Sequence, residues 1–310
     1  MAKVIKALIV LAALGLAGAY VVTDPATHRA LFSENPGALP ASVDLANGET
    51  MFYAGGCASC HATPGQGDRL KLGGGLGLHS PFGTFYAPNI SSHATDGIGA
   101  WSLESFIRAM REGVSPEGKH YFPAFPYTSY QRMGAKDLAD LFGFMKKLAP
   151  VEGRVRDHDL PFPFNIRRLV GGWKLLHLDG KLFHADAAKD AAFNRGAYLV
   201  DGPGHCAECH SPRNPLGGLI RAKLYSGGPD PEGKGFVPNI TPHADGIASW
   251  SKGDLRDFLK TGETPSFYSA GGSMASVIKN MSHLSDEDRA AMGAYLAALP
   301  AIPGKAPPKK

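Results

Sequence analysis

The chain opens on an uncharged, mostly apolar run, Ala7–Val22, behind Lys3 and Lys6. Such a run is either a retained membrane anchor or an export signal, with Ala17 and Ala19 forming an A-x-A cleavage pattern in the second case. Hydrophobicity continues through Tyr20, Val21 and Val22 past that pattern, which favours the anchor. Either way the lysines stay cytoplasmic and the body of the chain is exported. Beyond this segment the polar–apolar pattern is helical. Ser102 caps a stripe of Leu103, Phe106, Ile107 and Met110 that ends at Gly113. A counterpart runs from Ser251 through Leu255, Phe258 and Leu259 to Gly262. An amphipathic helix carrying Leu138, Leu141, Phe142, Met145 and Leu148 follows the first stripe. Another, carrying Met292, Tyr295, Leu296 and Leu299, follows the second and opens on a capping box, Ser285 with Asp288. Short helices are expected around Gly48–Ala54 and Arg195–Val200. No stretch alternates as a strand, so the expected class is all-α.

The pattern is also duplicated. PNISSHATDGIGAWS (Pro88–Ser102) returns as PNITPHADGIASWS (Pro238–Ser251). Two copies are too few for a solenoid, so a duplicated domain is the better reading. The expected division is an N-terminal segment (1–23), a first domain (24–149), a structured connection (150–192), a second domain (193–300) and a flexible tail (301–310). The connection carries PFPFNIRRLVGGWKLLH, too aromatic for a disordered linker. It is expected to pack across one or both domains, against the membrane, or against a partner.

Each copy is preceded by one chemical signature: CASCH at Cys57–His61 and CAECH at Cys206–His210, which together use all four cysteines. C-x-x-C-H is the attachment pattern of c-type haem. Cys57 and Cys60, and Cys206 and Cys209, would add their sulfurs to haem vinyl groups; His61 and His210 would ligate the irons. A zinc site or a dithiol centre competes for a bare C-x-x-C, but neither needs the adjacent histidine. The expectation is two covalently bound haem c. The formal charge of +4 falls towards zero once haem propionates are counted. With no basic block interleaved with aromatics, nucleic-acid binding is excluded. No G-x-G-x-x-G, G-x-S-x-G or H-E-x-x-H motif suggests a substrate-converting site.

An electron-transfer haem commonly has methionine opposite histidine. Met274, after a Gly-Gly-Ser loop, is the expected sixth ligand of the second haem, with Met281 the packing alternative. Met133 is the expected sixth ligand of the first. It competes with an open five-coordinate iron, because Met133 also falls where a hydrophobic staple belongs. His120 is a further possible ligand or propionate partner. Asn89 and Asn239 could donate to propionates or brace the ligand loop; Trp101 and Trp250 could bond propionates or pack in the core.

These residues together resemble the membrane-anchored c-type cytochrome subunits of bacterial periplasmic dehydrogenases for alcohol, gluconate, fructose and aldehydes. The likeness covers most of the chain and rests on both C-x-x-C-H motifs, the PNI(S/T)…WS doublet, HYFPAFPYTSY and GGSMASVI. It implies two tandem cytochrome c domains, here a two-haem version where many members carry three. It also implies electron transfer from a periplasmic dehydrogenase subunit to a respiratory-chain acceptor: quinone, soluble cytochrome or oxidase. The location implied is the bacterial inner membrane, haem domains facing the periplasm. Met274 matches the family's ligand position. Many members have methionine within PAMPY; this chain has Phe125 there, so the family's first axial ligand does not transfer. That departure leaves room for an enzyme, a dihaem peroxidase or a thiosulfate-oxidising cytochrome, or for a gas sensor.

Overall fold

The computed structural model describes residues 1–233 and 235–304. The tail expected to be flexible lies, from residue 305 on, outside the described residues. Helix α1 (Ala2–Val22) has no buried residue. With a mean hydropathy of 2.2 over its apolar window, it is the one helix among the described residues long and apolar enough to cross a membrane. A signal segment meets the same description. Helix α2 (Pro25–Phe32) starts at once, capped by the Asp24 side chain with Pro25 in the first turn.

The first helical unit comprises α3 (Leu45–Ala54), α4 (Cys57–His61), α5 (Leu103–Glu112), α6 (Tyr127–Tyr130) and α7 (Ala135–Met145). Helix α8 (Leu169–His177) belongs to the connection. The second unit repeats the order with α9 (Ala191–Asp201), α10 (Ala207–His210), α11 (Lys252–Thr261), α12 (Ser273–Met281) and α13 (Asp286–Leu296). The caps follow the sequence at α5 and α11, where Ser102 and Ser251 accept from backbone N–H groups and Gly113 and Gly262 close in the left-handed region. The reciprocal capping box forms at Ser251–Asp254. At Ser285 only half of the expected box exists: the serine accepts from Asp288 N, while the Asp288 carboxylate takes a two-pronged bond from Arg195 at 2.8 Å.

Two small antiparallel hairpins depart from the all-helical pattern: β1 (Gly77–Ser80) with β2 (Gly83–Tyr86), and β3 (Gly228–Pro229) with β4 (Phe236–Val237). Strands of two to four residues are too short to register as an alternation.

In each unit the helix before the attachment motif crosses the last helix at a glycine. A Cβ on Gly48 of α3 would lie 2.1 Å from the Asp140 carbonyl oxygen in α7; one on Gly196 of α9 would lie 2.0 Å from that of Ala291 in α13. Only a residue without a side chain permits such backbone contact. One continuous hydrophobic core runs through both units, with Phe52, Leu138 and Met133 on one side and Leu199, Met281 and Met292 on the other. The connection touches both. Val170 and Leu160 pack with Phe85 and Phe122 of the first unit, and the Trp173 indole N–H donates to Leu216 O of the second at 2.9 Å.

Candidate haem centres

Helix α4 carries the first attachment motif, and Cys206 with α10 carries the second. All four cysteines are unpaired, and burial pushes the Cys57 and Cys206 thiols up to about 12. The two motif histidines are set by the repeated segment. His61 Nδ1 lies 2.8 Å from Pro88 O, and His210 Nδ1 lies 2.8 Å from Pro238 O. A carbonyl can only accept, so Nδ1 carries the proton and Nε2 keeps its lone pair free to bind a metal. Burial holds both imidazoles below their ordinary pKa, which keeps that lone pair available. Thiols at i and i+3 with such an imidazole at i+4 fit a covalently bound haem c.

The asparagines brace this arrangement. Asn89 is buried; its Oδ1 accepts from Ser91 N, and its Nδ2 donates to Val151 O at 2.7 Å and Gly153 O at 3.0 Å. Asn239 does the same, accepting from Thr241 N and donating to Ile302 O at 2.8 Å. Both side chains thus tie the proline carbonyl loop to the chain beyond the last helix. The Trp101 and Trp250 indole N–H groups donate to no protein acceptor among the described residues, and both rings pack at the edge of the core.

Met274 is half-buried, in the first turn of α12 rather than in the glycine loop before it. Met281 is fully buried at the end of the same helix. Met133 is fully buried just before Gly134, the N-cap of α7; Leu284 stands in the same place before Ser285, the N-cap of α13. Met133 therefore has the surroundings of a packing residue. Phe125 lies among Tyr121, Tyr127 and Tyr130, with ring centroids 5.7 Å apart in the last pair. His120 is turned away from ligand duty. Its Nε2 donates to Thr23 O at 2.9 Å, and its Nδ1 accepts from Lys174 Nζ at 3.0 Å.

Each motif is fastened to the opposite unit through contacts that spacing along the chain does not reveal. Ser59, inside the first motif, accepts from Asn280 Nδ2 at 2.8 Å and Ser276 Oγ at 3.0 Å, both on α12. Glu208, inside the second, accepts from Thr128 and from Ser129 Oγ in the first unit, and pairs with Arg213 at 2.7 Å. Between them, Gly55 O accepts from Tyr130 OH at 3.2 Å and His205 Nε2 at 3.3 Å. The residue before the first cysteine is Gly56, with φ 57°; before Cys206 it is His205, held in the same left-handed region at φ 37°. A non-glycine residue there is strained, and the Gly55 bond and the edge contact with Tyr130 offset that cost. The Tyr53 and His283 rings stack across the units at 3.8 Å.

The cytochrome c family model matches residues 45–149. A dihaem c-type cytochrome of Cereibacter sphaeroides is 46% identical over 93% of this chain and 95% of its own length. The fructose dehydrogenase cytochrome subunit of Gluconobacter japonicus is 36% identical over 92% of this chain, which spans 57% of that subunit. The gluconate 2-dehydrogenase cytochrome c subunit of Pantoea cypripedii is 35% identical over 81% of this chain, which spans 58% of it.

Proposed function

This chain belongs to the dihaem c-type cytochromes, and on that premise we propose that it carries single electrons from a periplasmic dehydrogenase to a respiratory-chain acceptor. The acceptor is quinone, a soluble cytochrome or an oxidase. The observation that carries the reading is the fastening of each attachment motif to the opposite unit across one shared core. A relay needs its carriers close and rigidly held, and contacts that fasten each motif to the opposite unit support that arrangement.

Two haem c, one per motif, supply reversible one-electron chemistry when bound. Cys57, Cys60, Cys206 and Cys209 hold them, with His61 and His210 as proximal ligands. Met274 is the proposed sixth ligand of the second, and its half-buried place in the first turn of α12 supports that role. For the first, Met133 and an open position remain the two readings, and the equivalence of Met133 with Leu284 favours the open one. Trp101 and Trp250 are proposed propionate donors; Asn89 and Asn239 position the proline carbonyls.

Helix α1 is the proposed tether to the bacterial inner membrane, with the haem domains in the periplasm. It continues unbroken through Ala17 and Ala19 to Val22, and its last turn is bound into the folded domain by Arg168. The mass of the mature N-terminus separates a retained anchor from a cleaved signal.

The function is tested on the full-length holoprotein by haem content per chain and by a spectroelectrochemical titration. Two haems, two one-electron transitions and loss of dehydrogenase-linked oxygen uptake in membranes lacking the protein are expected. A single haem, or oxygen uptake that is unaffected, would overturn the relay.

A further inference from the structure

We propose that the connection and α2 form a second membrane contact, an apolar seat that lays the haem domains on the bilayer beside the end of α1. The inference rests on the reading of α1 as a retained anchor. The last turn of such an anchor marks the level of the lipid headgroups, where Tyr20 sits as an interfacial aromatic. Arg168 is at that level. Its guanidinium lies 4.1 Å from the Tyr20 ring centroid and bonds Tyr20 O, Thr23 Oγ1 and Asp24 Oδ2. A Cβ on Gly171, one turn on, would lie 2.3 Å from Thr23 O, so α8 abuts the end of α1 directly.

The chain on both sides of Arg168 is apolar and uncovered. Phe162 is 80% exposed, Leu169 is 56% and Leu176 is 67%. Phe164 is exposed as well, and turns link Pro161 with Phe164, Pro163 with Ile166 and Ile166 with Leu169, holding the segment compact on both sides of Arg168. Leu169 and Leu176 lie two turns apart on one face of α8, while Val170, Gly171 and Lys174 form its buried face. Helix α2 packs on both α1 and α8 and adds Leu31, 62% exposed. Apolar surface of this extent is unfavourable in water and favourable in the interfacial zone of a bilayer. Continuity with the end of α1, through Arg168 and Gly171, identifies lipid as the occupant, because a retained anchor holds this surface at the level of the headgroups.

The full-length holoprotein in phosphatidylcholine–phosphatidylglycerol nanodiscs, carrying a photoactivatable carbene on the acyl chain, tests this by mapping adducts with mass spectrometry. Adducts in residues 161–177, several-fold above those at Phe267 and Tyr268, are expected; that pair is equally exposed but lies in the loop before α12. The triple variant Phe162→Ser, Leu169→Ser, Leu176→Ser should lose them while keeping its α1 adducts, haem content and melting temperature. Adducts in α1 alone would overturn the seat and leave the anchor standing. No adducts in either segment would overturn the anchor, and the seat with it. Protection of 161–177 only when the dehydrogenase is co-reconstituted would assign the surface to that enzyme and overturn the lipid seat.

Discussion

Ser59 and Glu208 hold the same third position in the two attachment motifs, and the side chain of each accepts hydrogen bonds from the opposite half of the molecule. The segment Ser59 reaches is α12, which begins beside Met274; the segment Glu208 reaches is α6, which begins just after Phe125. Each attachment loop is thereby fastened to a helix of the other unit. This pseudo-symmetric exchange holds the motifs at a fixed separation.

Removing the buried carboxylate should show what that fastening contributes. Glu208→Ala leaves the Arg213 guanidinium its backbone acceptors but no counter-charge, and strips Thr128 and Ser129 of their acceptor, at an expected cost of about 1–3 kcal/mol. Ser59→Ala removes one neutral acceptor and should cost about 1 kcal/mol. Urea unfolding followed by far-ultraviolet circular dichroism measures both. An unchanged midpoint for Glu208→Ala would mean that the exchange does not stabilise the pair.

Carbon monoxide reads the sixth positions. The ferrous wild-type protein is expected to bind the gas at half its haem, the first. Met274→Leu is expected to bind it at both. Met133→Leu should alter neither spectrum nor gas binding, at a cost of about 1 kcal/mol or less for a volume-conserving swap. A wild type that ignores the gas, with Met133→Leu opening one iron, would establish Met133 as the ligand instead.

The glycine crossings are expected to tolerate nothing larger. Gly48→Ala or Gly196→Ala drives a methyl into a backbone carbonyl, which cannot rotate aside. A loss of about 3 kcal/mol or more is expected for each. Gly134→Ala, where a Cβ meets open space, is the control. Comparable melting temperatures for Gly48→Ala and Gly134→Ala would show that the helices separate without penalty.

Acid should loosen the junction below α1. His120 is held neutral, its pKa pushed down to about 4 by burial and then by the Lys174 charge. Both ring nitrogens are engaged, and a proton added at Nδ1 would face the Lys174 ammonium. The unfolded chain takes up this proton near its ordinary value of 6.5, so the His120 contribution to stability is full above that pH and falls from there down to about 4. The loss is on the order of 3 kcal/mol, and His120→Gln should flatten that part of the pH–stability curve. An identical curve for the variant would remove His120 as its source.

Several expectations could be made from local spacing. The α5 and α11 stripes and their serine caps are written in consecutive residues, as are both attachment motifs. The PNI(S/T) repeat was visible, but its chemical purpose was not, because the working atom is the proline carbonyl and the sequence records only side chains. Met274 looked like a loop residue because Gly-Gly-Ser reads as a break; the chain instead starts α12 at Ser273. Lys174 gave no signal at all. A lysine on an amphipathic helix is ordinarily solvated. Here its ammonium is fully buried against Gly113 O, Glu112 O and His120 Nδ1.

The sequence by itself determined that two C-x-x-C-H motifs are present, where the apolar anchor-like segment lies and that the helical unit occurs twice. Covalent pattern and helical period depend on neighbours within a few residues, so the chain order states them directly. Only the tertiary structure decided that the two motifs fasten into each other's units, that His205 takes a glycine's conformation, and that α8 meets the end of α1. Asn280 and Ser59 are 221 residues apart. Such a contact exists only once the glycine crossings and the shared core have brought distant backbones together, and no local preference encodes that meeting.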